Sequence, residues 1–247
     1  MNPGFRNSPL ARAKRVLVLH DLHPDADNAA WRGGMLARAH GGWLRVLNLG
    51  RFGDPQAAQT RLAPLVWRLQ EHLQLAVLAQ ALRGSFAPEL ASAAEDADLI
   101  VIRAPSVLEA VMGLHPLRVL RLAGRPTLVV RTSATMPYRR VLVGAPPGGG
   151  VGHGLVGAAA MTDGKEVPAV APSPSADALL EREQALFPDL VIVPCSPGKT
   201  LARRFLAHTR ADTLLLPAAD AGARSGAMRP DAGILCEPRL AAQGAVR

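Results

Sequence analysis

The sequence predicts an α/β protein: two doubly wound parallel-sheet units in tandem, the second abridged. Three observations carry this. Two segments, 15–131 and 140–217, repeat one pattern, opening on the apolar strands Arg15-Val16-Leu17-Val18-Leu19 and Arg140-Val141-Leu142-Val143-Gly144 and passing into Gly/Ala-rich helices. Their late parts match best: Asp98-Leu99-Ile100-Val101-Ile102 leads to Gly113, a helix and Thr127-Leu128-Val129-Val130, while Asp189-Leu190-Val191-Ile192-Val193 leads to Gly198, a helix and Thr213-Leu214-Leu215-Leu216. Strand and helix signals also alternate, as parallel strands joined by right-handed crossovers require.

The elements follow in order. Residues 16–20 form a compact β-branched and Leu run, suited to a strand buried on both faces, and His23-Pro24-Asp25 supplies the turn after it. A helix begins near Asp25, capped by Asp25 or Asp27, with Ala30, Trp31, Met35 and Leu36 at helical spacing and Gly41-Gly42 at its end. Residues 43–49 are the second strand. Residues 57–73 read as a helix that Pro64 either kinks or opens. A third strand over 75–82, a helix over 87–95 and a fourth strand over 98–102 complete the run to Arg103. Pro116 starts a helix to Leu122, and 127–131 is the fifth strand.

Residues 132–138 are the linker. The second unit, 138–217, is shorter than the first, 15–131, by about one βα step. Its elements are a strand over 141–145, a Gly-rich helix over 152–161, a short strand over 166–170, a helix over 175–186 capped by Ser175, and the late strand, helix and strand. Residues 1–14 read as a loose N-terminal tail without an apolar stretch of signal length, and 218–247, a mix of Gly, Pro, Ala and Arg, as a disordered one.

Composition narrows the function classes. No apolar run approaches the roughly 18 to 20 residues of a membrane span, so a cytoplasmic protein away from membranes is expected. The net charge of +8 would draw nucleic acid, but all but three of the 28 basic residues are arginines, scattered among Asp and Glu without a block of like charge. Nucleic acid is therefore not the expected partner, and a basic nucleic-acid-associated protein is carried only as an alternative. Cys195 and Cys236 form no C-x-x-C pair, and the seven histidines show no i, i+4 spacing, which speaks against a metal site. No G-x-S-x-G elbow occurs, leaving catalysis without named residues.

Two glycine-rich stretches invite a phosphate-loop reading. Gly198-Lys199-Thr200 places a Lys and a hydroxyl at a helix start, where N–H groups favour an anion, but Val193 stands where a full P-loop needs its first Gly. Around 148–154 the spacing of Gly152 and Gly154 fits a dinucleotide fingerprint poorly, and a flexible turn explains these glycines as well.

Taken together, Arg15-Val16-Leu17-Val18-Leu19-His20-Asp21, Ala97-Asp98-Leu99-Ile100-Val101-Ile102, and Gly113 to Leu122 followed by Gly124-Arg125-Pro126-Thr127-Leu128-Val129-Val130-Arg131 resemble the universal stress protein family in its tandem form. The resemblance covers nearly all of 15–131 and part of 138–217. It implies a Rossmann-like, five-stranded parallel sheet per domain, and two domains paired within the chain about a pseudo-twofold axis, commonly through the last strands. It also leaves open a homodimer and a regulatory partner of unknown identity.

Many members bind ATP or AMP with an Asp after the first strand and a G-x-x-G-x9-G-[ST] loop after the fourth. Here Arg103-Ala104-Pro105-Ser106 replaces the early glycines, Leu114 follows the surviving Gly113, and in the second unit Pro146 stands at the Asp position, with Pro194 and Pro197 before Gly198. Each proline removes an N–H that phosphates would need. The candidate binding residues are thus Asp21, Arg103, Gly113, Gly198, Lys199 and Thr200. Asp21 would hold an adenosine hydroxyl or Mg ion, or else cap a turn; Arg103 would pair a phosphate, or else an acidic neighbour. The expected function is a non-enzymatic stress-response protein acting by binding and regulation with its nucleotide site reduced or lost, the alternative being ATP or AMP binding through the first unit.

Overall fold

The computed structural model describes residues 13–49, 55–106, 115–133, 137–145, 152–162, 169–172, 175–195 and 200–217. The first half comprises β1 (Arg15–His20), α1 (Pro24–Ala39), β2 (Trp43–Asn48), α2 (Pro55–Leu73), β3 (Val77–Ala81), α3 (Phe86–Glu95), β4 (Leu99–Arg103), α4 (Pro116–Ala123) and β5 (Thr127–Val130). The second comprises β6 (Val141–Ala145), α5 (Gly152–Met161), β7 (Ala169–Pro172), α6 (Ala176–Leu186), β8 (Leu190–Pro194), α7 (Thr200–His208) and β9 (Asp212–Leu216). Of the expected tails, 1–14 and 218–247, residues 1–12 and 218–247 lie outside the described residues, whereas Ala13 is buried in the core and the Lys14 carbonyl accepts from Trp43 N–H, so the ordered chain starts earlier than expected.

The strands form one sheet in the order β3-β2-β1-β4-β5-β9-β8-β6-β7. Within each half every pairing is parallel; β5 and β9 meet antiparallel, with Leu128 opposite Leu214. The second half is therefore the first reversed across the β5/β9 seam, short of its outermost strand. Among the described residues, the equivalent of β3 and one helix are what the second half lacks. Loss of an edge strand leaves every remaining ladder intact, whereas loss of an inner one would strand two sets of N–H and C=O groups.

The repeat extends to side chains. In the first half Asp98 accepts from the backbone N–H of Arg15 (2.9 Å) and pairs with its guanidinium (2.8 Å); in the second Asp189 does the same for Arg140 (3.0 and 3.1 Å). Each Asp thus ties the foot of the next-to-last strand of its half to the foot of the first.

Alternation along the strands feeds two continuous cores. One face, with Val16, Val18, Val101, Leu128, Val143, Ile192 and Leu214, is covered by α1, α2 and α5. The other, with Leu17, Leu19, Ile100, Val129, Leu142, Val191 and Leu215, is covered by α3, α4, α6 and α7. Both cores cross the seam. Gly154 lets α5 lie close on the sheet, since a Cβ there would meet Val143 Cγ1 at 2.4 Å.

Several boundaries differ from the sequence reading. The cap of α1 is His23, whose ring accepts from the N–H of Asp25, because Asp27 is engaged elsewhere. Pro64 is not the first turn of α2, which begins at Pro55 and runs through it. β3 is shorter than expected; of the strand expected over 166–170, residues 166–168 lie outside the described residues, and β7 extends to Pro172. Ser175 caps α6 as expected, accepting from Ala178 N–H at 3.2 Å.

Candidate functional site

Strands β1 and β4 are neighbours, with Leu19 beside Ile102, so Asp21 and Arg103 emerge together at the carboxyl edge of the sheet. Ligands of doubly wound sheets bind at this edge. Here the two side chains bind each other. Arg103 Nε donates to Asp21 Oδ2 at 2.8 Å, Nη2 contacts the same oxygen, and Nη1 donates to the carbonyl of Ala104 at 3.2 Å. The side chains are only 9% and 16% exposed.

The turn that carries Asp21 is tied from both sides. Asp21 Oδ1 accepts from His23 N–H at 3.1 Å. Buried His20 accepts the N–H of Leu22 at Nδ1 (3.0 Å), which leaves Nε2 to donate to Asp27 (3.1 Å); Asp27 in turn pairs with Arg68 (3.2 Å). Burial holds the His20 pKa below its ordinary value, although Asp27 and Asp21 favour the charged ring. Leu22 adopts a left-handed φ of 65°, an uncommon conformation for a non-glycine residue.

The described residues leave little space in front of the pair. The hollow between Asp21, Arg103, Ile102, Pro105 and Val119 measures about 20 Å³, room for a single water. Among the described residues, the first-half cleft thus contains a closed ion pair and no open chamber. Gly113, Gly198 and Lys199 lie outside the described residues, and Thr200 opens α7. At the matching edge of the second half β8 ends in Pro194, followed by Cys195, whose thiol burial pushes up to about 12. No cluster of His, Cys, Asp and Glu among the described residues is arranged to hold a metal ion.

A second polar network was not anticipated from the sequence. Asp212, wholly buried at the foot of β9, accepts from Arg131 N–H (2.7 Å), Thr132 N–H (3.0 Å), Thr132 Oγ1 (3.1 Å) and the hydroxyl of Tyr138 (2.6 Å). Arg32 of α1 reaches the same carboxylate at 3.7 Å and lies 4.1 Å from the centre of the Tyr138 ring. Burial and the adjacent Asp212 carboxylate push the Tyr138 pKa well above its usual value, so the phenol stays a donor. The linker is thereby fastened to both halves by one carboxylate. The only sequence signal was an Asp opening an otherwise apolar strand.

Comparison with solved structures returns the same architecture. A protein of unknown function from Pseudomonas aeruginosa PAO1 matches with a TM-score of 0.61 at 18% identity, over 88% of this chain and 97% of that one. A putative universal stress protein from Pseudomonas aeruginosa UCBPP-PA14 matches with 0.59 at 18% identity, over 87% and 97%. A universal stress protein from Archaeoglobus fulgidus DSM 4304 matches with 0.60 at 13% identity, over 85% and 98%. The fold is that of universal stress proteins. No family model and no curated protein matches the sequence. Arg103 and Asp21 occupy the carboxyl edge of the first half of this fold. No helix among the described residues is long and apolar enough to cross a membrane.

Proposed function

We propose that the protein acts in stress response by binding and regulation, without turnover, and that the nucleotide cleft of its first half is closed. The observation carrying this reading is the buried Arg103–Asp21 pair, which spends on itself the carboxylate that would meet a ribose and the cation that would meet a phosphate. A ligand entering there must first break a charge-assisted, water-excluded contact, which costs several kcal/mol before any gain. Absence of turnover is supported by the inert environment of Cys195 and by the commitment of His20 to backbone and carboxylate partners. The same pair defines the second reading: an Arg103 swung outward would present its guanidinium to the phosphates of ATP or AMP.

Titration with ATP and AMP, followed by NMR at the amides of residues 19–22 and 102–106, separates the two. The closed-cleft reading expects no saturable shift of those amides below about 1 mM, which corresponds to about 4 kcal/mol. Movement of those amides with a dissociation constant tighter than about 100 µM would establish the nucleotide-binding reading instead.

A further inference from the structure

A cavity of about 1220 Å³ lies at the linker, with α1 of the first half and α6 of the second on its walls. Its base is the Asp212 network, through Arg32 and Tyr138. Its walls combine cations with an aromatic ring. Among the described residues no carboxylate pairs with the guanidinium of Arg139 or of Arg210, both of which line the cavity from exposed positions. The acidic side chains nearby are engaged: Asp189 takes the N–H groups of Arg139 and Arg140 and the Arg140 guanidinium, and Glu183 Oε1 takes Thr209 Oγ1 and the N–H groups of Arg210 and Ala211. The second oxygen of Glu183 is buried and without a hydrogen-bond partner.

Phe187 is an independent observation. It ends α6 in the left-handed conformation, with φ 47° and ψ 55°, its N–H donating to Glu183 O at 2.9 Å. Glycine is the usual residue there, and a bulky side chain in this region is a genuine outlier. The residue is 70% exposed and lines the cavity. Neither local conformation nor burial therefore favours a phenylalanine at this position. Strained residues of this kind cluster at ligand sites.

We infer that this cavity binds a small aromatic anion. The guanidinium groups of Arg139 and Arg210 receive the anionic group, and the planar body of the ligand stacks on Phe187. Arginine forks match phosphate or carboxylate oxygens in pairs, and an aromatic face supplies apolar area at little entropic cost.

Calorimetric titration of the full chain with 1-naphthyl phosphate tests this. One site per chain is expected with a dissociation constant of about 100 µM or tighter. Inorganic phosphate, which lacks the ring, and 1-naphthol, which lacks the charge, should each bind at least about tenfold more weakly. The double variant Arg139→Ser/Arg210→Ser should lose at least about tenfold in affinity, and Phe187→Gly at least about threefold. Phe187→Gly should also raise the melting temperature by about 2 °C, because glycine accepts the left-handed conformation freely, so that its weaker binding is not a loss of fold. Arg61→Ala, an exposed arginine of α2 outside the cavity, should leave the affinity unchanged. A dissociation constant weaker than about 1 mM, inorganic phosphate binding as tightly as the aryl phosphate, or an affinity indifferent to Arg139, Arg210 and Phe187 would overturn the inference.

Discussion

Arg103 keeps its charge largely out of water beside Asp21, and that fact has a measurable consequence for each partner. Asp21→Asn removes the negative charge while preserving shape, leaving a buried guanidinium undercompensated, at a cost of about 3 kcal/mol. Replacing both groups by apolar residues of similar size, as Asp21→Leu/Arg103→Met, removes the uncompensated charge and should return most of that stability. Urea denaturation of the two variants decides the matter; a double variant no more stable than Asp21→Asn would mean that the pair is not what stabilises the edge. Both residues were legible in the sequence as candidates, from their places just after a strand. Their bond to each other was not, because it closes 82 positions of sequence and depends on which strands become neighbours.

His20 adds a pH dependence whose sign is fixed by its environment. Burial lowers its folded-state pKa below the ordinary 6.5, with Asp27, Asp21 and Arg103 facing the ring. Above 6.5 the ring is neutral in folded and unfolded chains alike, and its preference for the neutral form supports the fold in full. As pH falls below 6.5 the unfolded chain takes up the proton first, so stability is lost until the folded-state pKa is passed. Protonation also puts a hydrogen on Nδ1, where the N–H of Leu22 now docks. His20→Asn retains an acceptor for Leu22 without a titrating ring. Denaturant midpoints recorded from pH 7 downward should fall less steeply for this variant than for the parent chain, and parallel curves would discount His20.

Elements were legible where one physical signal dominated. The apolar runs of β1, β4, β8 and β9 are buried on both faces, and nothing competes with that pattern. Errors arose where two signals competed. Pro64 argued for a helix boundary, yet the apolar face Leu62, Leu65 and Leu69 continues across it and is fully buried, so packing overrides the lost hydrogen bond. Asp25 and Asp27 both suit an N-cap, but Asp27 is drawn to His20 and Arg68, leaving the cap to His23. The α1–β2 connection shows an element decided by one atom. A Cβ on Gly42 would sit 1.8 Å from the Lys14 carbonyl, which itself accepts from Trp43 N–H at 2.7 Å. Gly42→Ala must therefore displace the first rung between β1 and β2, and should cost more than about 3 kcal/mol, at the upper end of single substitutions. Gly124→Ala, at the left-handed end of α4 with open space around it, should cost only about 1 kcal/mol. Thermal melts of the two variants should rank them in that order; equal effects would show that the turn accommodates the methyl group.

At the scale of the molecule, the antiparallel β5/β9 seam decides whether the chain behaves as two units or one. The repeat suggests two, but both hydrophobic cores run across the seam, and the linker is pinned beneath it by Asp212. His40 of α1 also meets the Ala160 carbonyl of α5 at 2.7 Å, a further bond between halves. A boundary crossed by continuous core and a buried ionic network cannot open without exposing both sides, so the halves should unfold together. The placement of tryptophan makes this testable. Trp31, Trp43 and Trp67 all belong to the first half, so intrinsic fluorescence reports on that half alone, while far-UV circular dichroism reports on the whole chain. Asp212→Asn lies in the second half and removes the charge that accepts four hydrogen bonds and faces Arg32, a loss of about 3 to 5 kcal/mol. In a cooperative molecule that substitution shifts the tryptophan transition as far as the dichroism transition, although no tryptophan is near it in sequence. A tryptophan midpoint that stays in place while the dichroism curve splits in two would mean that the seam joins independent halves.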